Sequence, residues 1–239
     1  MPLYRDRAVV LRTHKLGEAD RVVVLLGRGR GKVRAVAKGV RRTGSRFGSR
    51  LEPGSVVDVQ LYEGRGDLDG VDQAETAEAH PATRSDLSRM GHAAALLEAV
   101  DQLAQDREPN SRLHDMLVGG LRAVEQSDPP AVVAAFYLKL LAVEGVAPSF
   151  DECVVCGEPA DRLFWAPEAG GLRCASCGGG RVVSQDALTL ARAVLGGGLN
   201  AVLDLPAGAA VHDVEALASS LLEAHIERRL RAIRVLHEG

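Results

Sequence analysis

Arg21-Val22-Val23-Val24-Leu25-Leu26 and Lys32-Val33-Arg34-Ala35-Val36-Ala37, separated by Gly27, Arg28, Gly29, Arg30 and Gly31, decide how the N-terminal part of this chain folds. Both runs are rich in valine, whose branched Cβ suits a pleated surface, and the glycines between them mark a turn. Three further runs have the same character: Tyr4–Leu11, Val56–Tyr62 and Leu68–Ala74. Gly39, Pro53, Gly54, Gly64 and Gly66 punctuate them. Five short strands in about 80 residues predict a small barrel; an OB-fold barrel fits the count, and an SH3-like barrel fits nearly as well.

From Pro81 the pattern turns helical. Thr83 and Asp86 suit a capping box, and Met90, Ala94, Leu97, Val100 and Ala104 mark one face of a helix. A second helix is expected over Ser111–Val124. A third follows Pro129 and Pro130, carries Val133, Phe136, Tyr137, Leu140 and Leu141, and ends at Gly145. Residues 151–183 form a loop-rich insert, and helices resume at Ser184. Leu222, Ile226, Leu230 and Ile233 place one last helix near the C-terminus, with Arg228, Arg229, Arg231 and Arg234 in its last two turns, where cations suit the helix dipole. The expected fold is α+β: a five-stranded barrel over 1–80, then a helical domain in two parts, 81–150 and 184–239, interrupted by the insert at 151–183.

The 239 residues are 46% hydrophobic, too apolar for a chain disordered throughout. No apolar run reaches the roughly 18–20 residues that span a bilayer, and Met1–Leu11 lacks the apolar stretch of a signal peptide. A soluble, cytoplasmic protein is expected. The net charge of −3 hides an asymmetry. Residues 1–60 hold 14 Lys/Arg and 5 Asp/Glu, a net of +9, and the other 179 residues carry −12. Such a split points to an anionic partner for the N-terminal part.

Cys153-x2-Cys156, seventeen intervening residues, then Cys174-x2-Cys177 has the spacing of a four-thiolate zinc site. Two residues between cysteines let one tight turn aim both sulfurs at one ion, and the second pair completes the tetrahedron. Gly157 and Gly178 follow the two pairs, and Phe164 and Trp165 are placed to pack beneath the site. Unmetallated cysteines or a redox pair would not need two pairs at this separation. Four thiolates close the coordination shell and leave no position for a catalytic water, so one structural Zn2+ ion is expected.

Enzyme readings fare poorly. A zinc deaminase needs H-x-E and P-C-x-x-C; His225-Ile226-Glu227 matches the first in form only, and no proline precedes either cysteine pair. Gly27, Gly29 and Gly31 are not G-x-G-x-x-G, because Lys32 follows and a strand rather than a helix comes next. HExxH and GxxxxGK[ST] are absent. Sirtuin-type deacylases pair CxxC motifs with a dinucleotide-binding region, which this chain lacks. The scattered histidines His14, His80, His92, His114, His212 and His237 read as ordinary surface or core residues. No catalytic residues are assigned.

Between Arg21 and Arg50 stand ten basic residues with no Asp or Glu among them. Arg28, Arg30, Lys32, Arg34, Lys38, Arg41, Arg42, Arg46 and Arg50 form the expected nucleic-acid contact set, with Phe47 as an added stacking ring. The bland alternative is a solvated charged face; density and barrel context favour nucleic acid. Lys32 and Arg34 leave one face of a strand, and residues 41–50 read as an adaptable Gly/Ser loop able to wrap a phosphate backbone. Because aromatics are few, binding is expected to lean on phosphates, with steep salt dependence and little sequence preference.

The order of features, and several stretches in detail, resemble the RecO family of bacterial recombination mediators. Ala37–Arg42 followed by Ser45-Arg46-Phe47-Gly48 is similar to the family's basic loop. Leu51-Glu52-Pro53-Gly54 and Glu63-Gly64-Arg65-Gly66-Asp67-Leu68 are similar to its later barrel connections. Phe136–Leu141, Gly145, Pro148 and Cys153–Gly157 resemble its helix entering the zinc segment, Gly170–Cys174 its exit, and His225–Leu230 its closing helix. The resemblance spans nearly the whole chain. It implies a non-enzymatic protein that binds single- and double-stranded DNA and anneals complementary strands. With RecR it would help load RecA on strands coated by single-stranded DNA-binding protein (SSB), whose C-terminal tail it would bind through the helical region. It implies a nucleoid-associated place in the cytoplasm, and a zinc ion typical of one branch of the family. A zinc-stabilised protein-interaction module without a nucleic-acid role is the alternative.

Overall fold

β1 (Leu3–Leu16) pairs with two neighbours in turn: its first half with β4 (Val56–Tyr62), its second with β2 (Asp20–Gly27). A register shift between Val10 and Arg12 marks the bulge at which the strand bends from one partner to the other. With β3 (Gly31–Ala37) and β5 (Asp69–Glu78) the strands close into a barrel of order β1-β2-β3-β5-β4. The closing pair, β3 and β5, is parallel, with Ala35 opposite Asp69. This is the OB-fold barrel among the two that the strand count allowed. The computed structural model describes residues 2–64, 66–159 and 163–233. They fall into two units, Met1–Gln126 and Ser127–Gly239.

The barrel interior is filled by alternate residues: Ala8 and Val10, Val23 and Leu25, Ala35 and Ala37, Val57, Val59 and Leu61. The other side of β2 is buried too, with Val22 at 9% and Val24 and Leu26 at 1% exposure. That is why β2 reads as a continuous apolar run. β1 and β5 extend beyond the expected strands because charged residues such as Arg12, Lys15 and Glu75, on exposed positions, and the half-buried Glu78 continue the ladders.

Three helices complete the first unit: α1 (Pro81–Ser85), α2 (Leu87–Leu103) and α3 (Ser111–Gln126). α3 packs on α2 and touches β1 and β2. The expected capping box does not form. Asp86 alone caps α2, accepting a hydrogen bond from the Arg89 N–H at 3.0 Å. Thr83 instead donates its hydroxyl and its N–H to the Glu125 carboxylate, both at 2.8 Å. The buried face of α2 is Ala93, Leu96, Leu97 and Val100, whereas Met90 is 49% exposed and Ala94 also faces solvent.

In the second unit α4 (Val132–Val143) buries all five of its expected apolar positions. Gly145 follows it at φ 81°, a left-handed turn that ends the helix. The insert contributes the hairpin of β6 (Leu163–Ala166) and β7 (Gly171–Cys174), joined through a 3-10 turn at Pro167–Ala169. Then come α5 (Gln185–Leu195), α6 (Leu199–Leu203) and α7 (Ala209–His225), with α7 packed on α4 and α5. Ser184 caps α5 through the Ala187 N–H. The last helix is shorter than its heptad-like spacing suggested. It stops at His225, Glu227 turns at φ 53°, and Arg228, Arg229 and Arg231 lie on the exposed segment beyond it. Arg234 and His237 lie outside the described residues, as does Arg65. No helix among the described residues is long and apolar enough to cross a membrane.

Candidate nucleic-acid interface and metal centre

The ten-residue contact set does not form one patch. β3 carries it from one end of the barrel to the other, and its seven residues span about 20 Å. Arg28, Arg30 and Lys32 lie at the β2–β3 hairpin. Lys38, Arg41, Arg42, Arg46 and Arg50 lie at the far end, on the connection from β3 to β4, with Arg34 exposed between the two groups.

At the hairpin end each of these three cations meets a carboxylate. Arg28 donates twice to Asp115, at 2.9 and 2.8 Å. Arg30 lies 3.6 Å from Glu63 and stacks over the Tyr4 ring. Lys32 is 3.8 Å from Asp106 and donates to the Asp101 carbonyl at 2.9 Å. Asp6 accepts from the Gly29 N–H. The Asp115 carboxyl is held well below the usual range by its hydrogen bonds to Arg28 and then His114.

At the far end the connection is a ladder of tight turns rather than an adaptable loop. Arg42 N–H donates to Gly39, Ser45 to Arg42, Gly48 to Ser45, and Arg50 to Phe47. Val40, Phe47 and Leu51 turn inward and plug the barrel. Phe47 is 1% exposed, which corrects its expected role: its ring packs in the core and offers no free face for a base. Arg46 and Arg50, one residue before Phe47 and Leu51, turn outward, as does Arg42, two residues after Val40. Arg34, Lys38, Arg41, Arg42, Arg46 and Arg50 have no carboxylate partner among the described residues. Arg41 donates to the carbonyls of Gly17 and Glu18, and Arg50 to those of Arg46 and Phe47. The acids nearby are engaged elsewhere: Glu52 pairs with Arg21, and Asp20 accepts from the Gly39 N–H. Such exposed, uncompensated guanidinium and ammonium groups are what a phosphate backbone neutralises.

The second site lies in the other unit. The Sγ atoms of Cys153, Cys156, Cys174 and Cys177 all lie within 4.8 Å of one another, and they are the one such metal-holding group among the described residues. Cys156 and Cys174 are 3.9 Å apart. Tetrahedral thiolates at the usual Zn–S distance would be about 3.8 Å apart. Two tight turns build the cluster, with Gly157 N–H donating to the Cys153 carbonyl at 2.8 Å and Cys177 N–H to Cys174 at 3.2 Å. A bond from the Val154 N–H to Leu172 ties the first turn to β7. Leu163, opposite Cys174, and Ala166 are the buried residues of β6; Phe164 and Trp165 are half-buried, with Arg181 over the Trp165 ring. Burial raises the Cys153 thiol, but backbone N–H groups of Cys174, Cys156 and Val155 outweigh it and hold the thiol below its ordinary value. Hydrogen bonds to Cys156 and Cys174 push the Cys177 thiol up. The Cys174 thiol is lowered as well, chiefly by the Cys177 N–H, and Cys156 is raised, so two of the four thiols lie below their ordinary value and two above it. The donor set fits a metal ion with four thiolate ligands and no open position.

Fold and sites together define the class: an OB-fold protein with an uncompensated cationic end, joined in one chain to a four-cysteine module. Residues 1–80 match the family model for the Recombination protein O N terminal region, and residues 84–234 match that for its C terminal region. The chain is 46% identical over 243 residues to the DNA repair protein RecO of Nocardioides sp. strain JS614, covering 97% of this chain and 98% of that protein. It is 44% identical to the protein of that name from Frankia casuarinae and 42% to that from Streptomyces griseus subsp. griseus, each over the full length of both chains. The chain belongs to the RecO family.

Proposed function

We propose that this protein is a non-enzymatic, DNA-binding mediator of recombination and repair. It anneals complementary single strands and, with RecR, helps load RecA on SSB-coated DNA. The observation that carries this reading is the set of cations without carboxylate partners on one end of the OB-fold barrel, in a chain whose relatives are named DNA repair proteins. Two polyanionic strands repel, and a cationic surface lowers the cost of bringing them together. In this reading the barrel, residues 1–80, takes single- and double-stranded DNA. The helical parts, 81–150 and 184–239, serve RecR and the SSB C-terminal tail, and the insert at 151–183 is folded by one structural Zn2+ on Cys153, Cys156, Cys174 and Cys177. The protein works in the cytoplasm, at the nucleoid.

The test is annealing of complementary strands coated with SSB, with and without RecR. Faster annealing than in protein-free controls supports the reading. No DNA shift at low salt and no annealing would overturn it in favour of a zinc-stabilised interaction module.

A further inference from the structure

The hairpin end of the barrel is sealed by the chain's own segment 104–108, between α2 and α3. Lys32 N–H donates to the Gln105 carbonyl at 3.3 Å, and Arg107 N–H returns to the Lys32 carbonyl at 2.9 Å, as in a short parallel bridge. Gly31, at φ 67°, lies so close that a Cβ there would stand 2.1 Å from the Glu108 carbonyl oxygen. Arg12 reaches Asp101 at the end of α2, at 2.6 Å, where the Asp101 side chain is 8% exposed. Arg28 adds two hydrogen bonds donated to Asp115 on α3. Backbone, glycine and three ion pairs, Arg12–Asp101, Arg28–Asp115 and Lys32–Asp106, therefore serve one purpose, to hold the helical segment on the barrel.

Building on the reading that the barrel binds DNA, we infer that the basic stretch is divided in function. Arg12, Arg28 and Lys32 are a clasp for the α2–α3 segment, and the DNA backbone runs over the opposite end, on Lys38, Arg41, Arg42, Arg46 and Arg50, and reaches Arg34 between the two groups. The outward side of β2 does not join the two ends into one path, because Val22, Val24 and Leu26 are buried there. The usual OB-fold path across strands 2 and 3 is thus narrowed to one end of the barrel.

Four variants separate this from a footprint spread over the whole stretch. The readout is fluorescence anisotropy of a labelled oligo-dT strand over a salt series, with thermal unfolding alongside. Arg34→Gln/Arg42→Gln/Arg46→Gln weakens binding at least about tenfold and lowers the salt slope by about 2, as three lost single-strand phosphate contacts require. Arg28→Gln leaves affinity within about twofold and the slope unchanged, since no phosphate contact is lost. Arg28→Gln and Asp115→Asn each lower the unfolding midpoint, and the double variant lowers it no further than the larger single effect. A slope reduced by Arg28→Gln, or tighter DNA binding by Asp115→Asn, would overturn the division, because either means Arg28 meets phosphate once it is released. A wild-type protein that binds no DNA at low salt overturns the underlying reading instead.

Discussion

Arg107 donates a 2.8 Å hydrogen bond to Asp69 from 38 residues away, and Asp69 is 1% exposed. The Tyr4 hydroxyl and the Gly64 N–H donate to the same carboxylate. A carboxylate this deep in the barrel wall must be paired, and Arg107 supplies the charge from a residue at φ 58°, in the left-handed region. Arg107→Ala is expected to destabilise the protein by about 2 kcal/mol, less than a wholly buried pair would lose because the guanidinium is half in solvent. The urea midpoint at pH 7 measures it, and an unchanged midpoint would contradict the role.

The same carboxylate sets an acid limit. Burial raises Asp69, but hydrogen bonds from Arg107, Tyr4 and Gly64 outweigh this and hold it below the usual carboxylate range. A group depressed in the folded state stabilises above its unfolded value of about 3.9 and loses that contribution as pH falls through the folded value. Asp69→Asn lacks the contribution at every pH. The stability gap between wild type and Asp69→Asn is therefore expected to be full at pH 7 and to shrink steadily below about pH 4. A gap independent of pH would mean that the carboxylate's charge is not what stabilises.

Phe47 offers a cleaner distinction between core and contact. As a barrel plug, Phe47→Ala leaves a cavity and costs about 3–5 kcal/mol. Phe47→Leu keeps most of the volume and costs about 1–2 kcal/mol. If the ring does not stack on bases, Phe47→Leu binds oligo-dT as wild type does. A loss of about 1–3 kcal/mol of affinity in a stably folded Phe47→Leu protein would restore the stacking role.

These cases show which parts of the molecule could be read from the chain. β4 was legible to the residue, because Val56–Tyr62 follows a Pro-Gly turn and alternates inside and outside. β1 and β5 were underestimated, since outward-facing charges on a paired strand look like loop in one dimension. Of the expected α2 face, Leu97, Val100 and Ala104 are buried but Met90 and Ala94 are not, because several alanines stand round the helix and hydropathy hardly distinguishes Ala93 from Ala94. The last helix was overextended because apolar spacing continues past the turn at Glu227. The cysteine cluster was legible because its geometry is local in sequence within each pair. The division of the basic stretch was not: it depends on Asp101, Asp106 and Asp115, whose approach to the barrel is a tertiary fact. Phe47 misled for a related reason, since an aromatic flanked by arginine and glycine looks exposed until the turn ladder is seen to fold it inward.

Charge reversal at the uncompensated end tests the interface as a whole. Lys38, Arg41 and Arg42 stand exposed and without carboxylate partners among the described residues, so Lys38→Glu/Arg41→Glu/Arg42→Glu breaks no ion pair. It exchanges three attractions to phosphate for three repulsions. The DNA gel shift and the annealing of bare complementary strands are expected to be lost together, with the unfolding midpoint within a few degrees of wild type. Annealing that persists after the shift is lost would separate the two activities and place annealing elsewhere on the chain.

The turns around Cys153–Cys156 and Cys174–Cys177 bury little beyond Cys153, Leu163, Ala166 and Leu172, so the segment has few apolar contacts with which to fold alone. A tetrathiolate ion would supply that free energy, and its loss would be felt as local unfolding rather than as lost chemistry. Metal analysis is expected to find one zinc per chain, and cobalt substitution to give the visible bands of a tetrahedral thiolate site. Cys153→Ser, which removes the most buried ligand, should lose the zinc and open residues 151–183 to protease, while the barrel unit keeps its far-ultraviolet β signature and its oligo-dT affinity. The ions that remain on such a site would be held by three thiolates and exchange rapidly with a chromogenic chelator. Wild-type protein found without zinc would show that the four sulfurs are gathered for some other reason, and a Cys153→Ser protein that keeps both its zinc and its protease resistance would show that Cys153 is dispensable to the site.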